Sequence, residues 1–318
     1  MIYIFFGVIG FIFCLRSHVA AQIFLQPSLI SLKLLTNYFG PTGYGEYNTI
    51  STYLNFFIVI ADLGLFSVTV REIVKNPDRE KKILANVFVI RLVTALAATL
   101  AASALVFLTH YNENIKIGTL VASGFIFFNL LSSIYDIILQ ARLKMQFSAL
   151  AEFASKIISL AALLFLIKIQ AGFFLIVSTI SLAGLIILII KWIFARRFLV
   201  FSPRYNREVA RWIFSLSWPI GIVFILNNLY FKLDTLLLFA MKGPAEVGIY
   251  TTAYKIFEVT AVAGAYFASA LKPIISANIA TNKKHLENVI GKSFLVMLIM
   301  AAPTTIISIV FSKEIIIF

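Results

Sequence analysis

Long apolar runs alternate with short polar breaks along almost the whole chain. A helix needs about 20 mostly apolar residues to cross a bilayer. On that measure the pattern predicts nine spans. Six lie in the first two thirds: roughly Val19–Phe39, Tyr47–Val68, Ile83–Leu108, Ile117–Leu139, Phe147–Ile167 and Phe173–Phe194. Three follow: about Ile213–Met241, a run ending near Leu271, and about Phe294–Phe311. Runs of this length argue helices rather than the short alternating strands of a barrel. The expected fold class is all-α, a polytopic integral membrane helix bundle. Met1–Leu15 is apolar but too short to span, and it lacks the basic start of a signal peptide. It reads either as an extension of the first helix or as an interfacial segment.

One break recurs. Gly40-Pro41-Thr42-Gly43-Tyr44-Gly45-Glu46-Tyr47 and Gly243-Pro244-Ala245-Glu246-Val247-Gly248-Ile249-Tyr250 share the skeleton Gly-Pro-x-x-x-Gly-x-Tyr, offset by 243 − 40 = 203 residues. Each copy sits between two apolar runs, so a duplicated membrane hairpin is the simplest account. Glycine and proline predict a short turn over Gly40–Gly45. The offset divides the chain into an N-terminal six-helix lobe, residues 1–212 with 1–18 unassigned, and a C-terminal lobe, residues 213–318, holding about three helices. A repeat of about 200 residues should hold six spans. The second repeat is therefore expected to be truncated here, with a natural nine-span protein as the alternative.

Composition sharpens the class. Of 318 residues, 61% are hydrophobic and 13% charged, against roughly 45–50% and 25% in soluble domains. The net charge of +13 is not a nucleic-acid footprint, because the basic residues collect in loops. The loops after spans two, four, six and eight carry five, two, five and four Lys or Arg; the alternate loops carry none, Lys116, Lys168 and Lys242. The basic set is expected on the cytoplasmic side. Both motif copies then lie on the outer face, and the two repeats are parallel rather than inverted. The one cysteine, Cys14, excludes an intrachain disulfide or a cysteine metal cluster. No cofactor is expected.

Charges inside the spans are costly and usually functional or paired. Lys33, Asp62, Arg91, Asp136, Glu152, Lys156, Lys232, Asp234, Lys255 and Glu258 are such residues. Glu152–Lys156 and Lys255–Glu258 have the spacing of same-face helix pairs, and Arg91 and Asp136 are close enough to span ends to snorkel. Lys33 precedes Gly40 by seven residues and Lys232 precedes Gly243 by eleven. The difference is about one helical turn, so both lie on a similar face of equivalent helices. Two cations so placed suit an anionic substrate, phosphate above all; pairing of Lys232 with Asp234 is the plainer alternative. There is no Gly-x-x-x-x-Gly-Lys-Ser/Thr loop for ATP, and no outer loop is long enough for a soluble catalytic site. Twin halves, short loops and buried charges read as a secondary transporter, not an enzyme.

Particular residues resemble a known family. Asn37-Tyr38-Phe39-Gly40-Pro41 with Gly43-Tyr44-Gly45-Glu46-Tyr47 is similar to the Leu-Gly-Pro-x-x-Tyr-Gly-x-Tyr turn after the first helix of polysaccharide flippases. Asp62-Leu63-Gly64-Leu65 with Arg71-Glu72 resembles their next motif. Leu233-Asp234-Thr235 and Gly248-Ile249-Tyr250 with Ala253-Tyr254-Lys255 resemble the start of their second half, and Phe311–Ile316 the segment before their tenth helix. The family is the O-antigen flippase (Wzx) type, within the multidrug/oligosaccharidyl-lipid/polysaccharide superfamily. Members often carry Arg before the Leu-Gly turn; here the cation is Lys33.

The resemblance implies two lobes around a central cavity in the bacterial cytoplasmic (inner) membrane. It implies translocation of an undecaprenyl-diphosphate-linked sugar repeat unit by alternating access, in lipopolysaccharide or related polysaccharide biosynthesis. Partners would be the lipid-linked glycan, membrane lipid, a polysaccharide polymerase and a chain-length regulator, with no nucleic acid. Lys33, Lys232, Lys255 and Arg91 are expected to bind the diphosphate, and Asp62, Asp234 and Glu258 to couple an ion or balance charge. Gly40, Pro41, Gly45, Tyr47, Gly64, Arg71, Glu72, Gly243, Pro244, Gly248 and Tyr250 are expected to be structural. The rivals are a cation-coupled multidrug antiporter of the same superfamily, a peptidoglycan-precursor flippase, and a membrane-embedded glycan polymerase or glycosyltransferase. The antiporter would favour acidic cavity residues, and the polymerase or glycosyltransferase would need a large catalytic loop.

Overall fold

The computed structural model describes residues 2–198, 205–254 and short helical pieces between 290 and 306, with side chains from Ile30 onward. The described residues contain no strand. Among the described residues, helices run α1 (Ile2–Asp62), α2 (Leu65–Lys75), α3 (Glu80–Leu105), α4 (Glu113–Ala122), α5 (Gly124–Ala141), α6 (Met145–Lys168), α7 (Phe173–Ala195) and α8 (Arg207–Lys242). Residues 244–254 are helical again. Among the described residues, six stretches are long and apolar enough to cross a membrane: Ile30–Lys75, Pro77–Leu108, Glu113–Ala141, Met145–Lys168, Phe173–Phe198 and Arg207–Lys242. The chain is an all-α, multi-pass membrane bundle.

Helix breaks differ from the expected turns in an informative way. The first two expected spans are one helix interrupted at a single residue, Gly40, with φ 68° and ψ −178°. Helix resumes at Pro41, whose missing N–H and fixed φ suit a first helical position. The expected six-residue turn is thus one glycine followed by proline. A second break, Leu63-Gly64, has both residues at positive φ (46° and 73°) and separates α1 from α2. The expected fourth span is broken at Ser123, between α4 and α5. There the Ser181 hydroxyl donates to the Val121 carbonyl at 3.0 Å. A side-chain donor from a neighbouring helix is what an interrupted helix needs in lipid.

Two compact units result: Leu34–Gly248, and Met1–Lys33 with Ile249–Phe318. The larger unit has two apolar clusters. One joins Ile50, Tyr53 and Leu54 of α1, Ala95, Ala98 and Ala102 of α3, Ile126 and Leu130 of α5, Val177 of α7 and Phe239 of α8. The other joins Leu65 and Ile73 of α2, Ile83, Leu84 and Val87 of α3, Ile134, Ile137 and Ile138 of α5, and Ile213 of α8. By contact, α8 therefore packs with the first-half helices, although the sequence offset counts it as the first helix of the second repeat. Lipid removes the hydrophobic drive between helices, so small residues that allow close approach carry much of the packing. Gly184 of α7 is such a residue; a Cβ there would lie 3.0 Å from the Phe125 ring. Phe165, Leu175, Ile189, Val223 and Leu226 face outward.

Candidate functional site

The two motif copies meet. Gly40 (φ 68°, ψ −178°) and Gly243 (φ 88°, ψ −179°) share one backbone conformation, and each is followed by proline and helix. Five residues on, the second glycine of each copy lies against the proline of the other. A Cβ on Gly45 would lie 2.7 Å from the Pro244 carbonyl carbon, and closer still to its oxygen; a Cβ on Gly248 would lie 2.9 Å from the Pro41 carbonyl carbon. The same two motif positions are used on both sides, so the contact is reciprocal. Each approach is closer than real Cβ atoms come to backbone, which is why glycine stands there. At Gly40 and Gly243 a Cβ would meet nothing within 4 Å. There the positive φ itself selects glycine.

The first copy is anchored beside the seam. Glu46, 5% exposed, accepts hydrogen bonds from the side-chain amides of Asn112 and Asn114, the latter at 3.2 Å to Oε2. Asn112 caps α4, accepting from the Ile115 N–H at 3.2 Å. The Glu46 carboxylate is thus placed at the positive end of the α4 dipole. In the apolar cluster that also holds Val247 of the second copy, the rings of Phe239 and Tyr111 meet edge-on at 4.8 Å, and the Tyr53 ring lies 6.4 Å from that of Tyr111. Burial pushes the Tyr111 phenol above its usual range. Tyr47 is partly buried against the first apolar cluster.

At the other break, a Cβ on Gly221 of α8 would lie 2.6–2.7 Å from the backbone of Leu63, and one on Gly64 would lie 2.8 Å from the Gly221 nitrogen and the Ser217 oxygen. Just before this crossing sits Asp62, which accepts from Arg91 Nη2 of α3. Arg91 is fully buried, and its Nε and Nη1 have no hydrogen-bond partner among the described residues. The structure thus joins a residue expected in the cationic set to one expected in the acidic set. Arg91 does not snorkel. Arg71 Nε pairs with Glu72 Oε1 at 3.0 Å; Glu72 is buried and Arg71 exposed.

A third charged group joins helices that sequence reasoning left unconnected. Lys191 of α7, 3% exposed, donates to Asp136 Oδ2 of α5 at 2.7 Å and to Glu152 Oε1 of α6 at 3.3 Å. Ser148 donates to the other oxygen of Asp136. Lys191 was missed because a lysine four residues before the end of a helix reads as a cytoplasmic anchor. The carboxylates within the neighbouring spans, one lysine short of local pairing, were the available signal.

Lys33 and Lys232 are both half-buried. Lys33 belongs to the smaller unit and Lys232 to the larger. Asp234 Oδ1 accepts from the Thr235 N–H at 2.7 Å. Lys255 and Glu258 lie outside the described residues. Tyr250 stacks on Tyr254, their centroids 5.7 Å apart. Among the described residues no group of three or more His, Cys, Asp and Glu could hold a metal ion. No curated protein and no solved structure matches the chain. A family model described as polysaccharide biosynthesis protein matches residues 10–279, and on that span the chain belongs to the polysaccharide biosynthesis protein family, whose members include flippases of the multidrug/oligosaccharidyl-lipid/polysaccharide superfamily.

Proposed function

We propose that this protein is a flippase that carries a lipid-linked oligosaccharide across the bacterial cytoplasmic membrane by alternating access between lobes 1–212 and 213–318. The observation that carries this reading is the family match over residues 10–279, on a chain whose long helices are joined by short loops. The cargo is an undecaprenyl-diphosphate-linked O-antigen or related repeat unit. Lys33, Lys232 and Lys255 supply positive charge for the diphosphate. Asp62 balances Arg91, a role consistent with their pairing, while Asp234 and Glu258 serve coupling or charge balance. The protein does no covalent chemistry on its cargo. The polymerase and chain-length regulator of the same route are its working partners.

The test is a strain lacking the gene. Undecaprenyl-diphosphate-linked glycan should accumulate on the cytoplasmic face, with loss of surface polysaccharide, and the gene should restore both. Lys33→Gln with Lys232→Gln should insert normally yet fail to restore export. Normal surface glycan together with new sensitivity to cationic drugs would replace this reading with the antiporter.

A further inference from the structure

We propose that the reciprocal contact of Gly45 with Pro244 and of Gly248 with Pro41 is the outer seal of the transport path. It is a backbone-on-backbone seam that closes by glycine approach and parts to release cargo. The inference rests on the transporter reading and on the outer placement that the loop charges imply.

Three observations converge on the seam. First, it is made where a side chain cannot be accommodated. At Gly45 the Pro244 backbone comes well inside 3.0 Å of a would-be Cβ, and at Gly248 the Pro41 backbone does the same. A seal closed by backbone needs no side chain to find a rotamer. Second, each side follows a single-residue break in the left-handed region, Gly40 or Gly243, around which there is open space. Rotation at one glycine re-aims the helix that follows, and hinges of this kind are a few element-terminal residues that absorb the change. The first copy is tied to α4 through Glu46 and its two asparagines.

Third, the alternatives within this unit are harder to open. The Arg91–Asp62 pair and the Lys191–Asp136–Glu152 group bind helix to helix through buried charge. Breaking one leaves an uncompensated charge in a low-dielectric site. Beside the seam, Phe239, Tyr111 and Tyr53 share one apolar cluster with Val247 of the second copy, and that cluster keeps water out while the seam is closed.

The test reads accessibility in the full chain. Cys14→Ser removes the single cysteine. Phe239→Cys then reports from the buried cluster beside the seam, and His110→Cys, in an exposed loop, is the reference. Cells or right-side-out vesicles are treated with a membrane-impermeant maleimide. With the seam intact, position 239 should be protected while position 110 labels. Gly45→Ala or Gly248→Ala should abolish that protection. Gly172→Ala, where a Cβ meets nothing within 4 Å, should leave it unchanged. The proposal is overturned if position 239 labels at the reference rate behind the intact seam. It is equally overturned if protection persists in both seam variants at normal abundance. Should neither variant accumulate, the intact-seam comparison alone decides. Labelling is read whatever the cargo. Seam behaviour as described, without glycan build-up in the deletion strain, would keep the seam and reject the flippase; build-up with unaltered labelling would do the reverse.

Discussion

Arg91 of α3 and Asp62 at the end of α1 are each other's charge partner, with the guanidinium fully buried and the carboxylate beside the Leu63-Gly64 break. An aspartate at a helix C-terminus opposes the helix dipole. The arginine therefore neutralises both the side chain and the local field. Removing only one partner leaves the other exposed to the low-dielectric interior.

Asp62→Ala should accordingly destabilise the protein by about 3–5 kcal/mol, the cost of orphaning a buried charge. Asp62→Asn should cost less, because an acceptor remains. The double replacement Asp62→Leu with Arg91→Met should recover much of the loss. Thermal unfolding in detergent, scored as a double-mutant cycle, measures this. A double variant as unstable as the sum of the singles would show that the two residues do not act together.

Lys191 supports a second cycle. Lys191→Met strips the shared cation from Asp136 and Glu152, which then face each other across α5, α6 and α7. The loss should again be about 3–5 kcal/mol. Adding Asp136→Leu should relieve part of it. Limited proteolysis of the loop near Leu143 is the companion readout, since α5 and α6 join there.

Much of this was legible in the sequence, for definite reasons. Span existence follows from apolar run length alone, so the helices from α3 to α8 fall within a few residues of the expected runs. The importance of the Gly-Pro skeleton was also legible, because repetition is visible without coordinates. What the repetition does was not. Gly45 and Gly248 are 203 residues apart, and nothing local says that each faces the other's proline. Local spacing carried only part of the charge network. It paired Glu152 with Lys156 on one helix and gave no sign that Lys191 also reaches Glu152 from another. It offered Arg91 as a snorkelling or cavity cation and could not show that packing buries it against Asp62. Helix breaks were misjudged for a related reason: proline after a left-handed glycine restarts a helix at once rather than prolonging a turn.

Tyr53 tests a neutral buried hydrogen bond. Its hydroxyl donates to the Ala102 carbonyl of α3 at 3.0 Å, an oxygen that also belongs to the helix ladder. Tyr53→Phe keeps the ring against Phe57, 5.0 Å away, and deletes only the donor. The expected loss is about 0.5–1.5 kcal/mol, read as a lowered unfolding midpoint with unchanged helix content. A loss several times larger would mean that the ring itself had moved.

The motif glycines separate two kinds of requirement, and alanine distinguishes them. At Gly40 and Gly243 there is room for a methyl group, so Gly40→Ala or Gly243→Ala should cost only the strain of a positive φ with extended ψ, about 1–3 kcal/mol. At Gly221 φ is not left-handed, yet a Cβ would sit 2.6–2.7 Å from the Leu63 backbone. Backbone cannot rotate aside as a side chain can, so Gly221→Ala must push α8 away from the α1–α2 break. That displacement strains Asp62 as well, one residue before Leu63. Gly221→Ala should therefore lose more stability than Gly40→Ala, and part of its loss should vanish when Arg91 and Asp62 have already been replaced by Met and Leu. Unfolding midpoints of the four proteins decide the matter. Full additivity would mean that the α8 contact and the ion pair are independent supports of the same break.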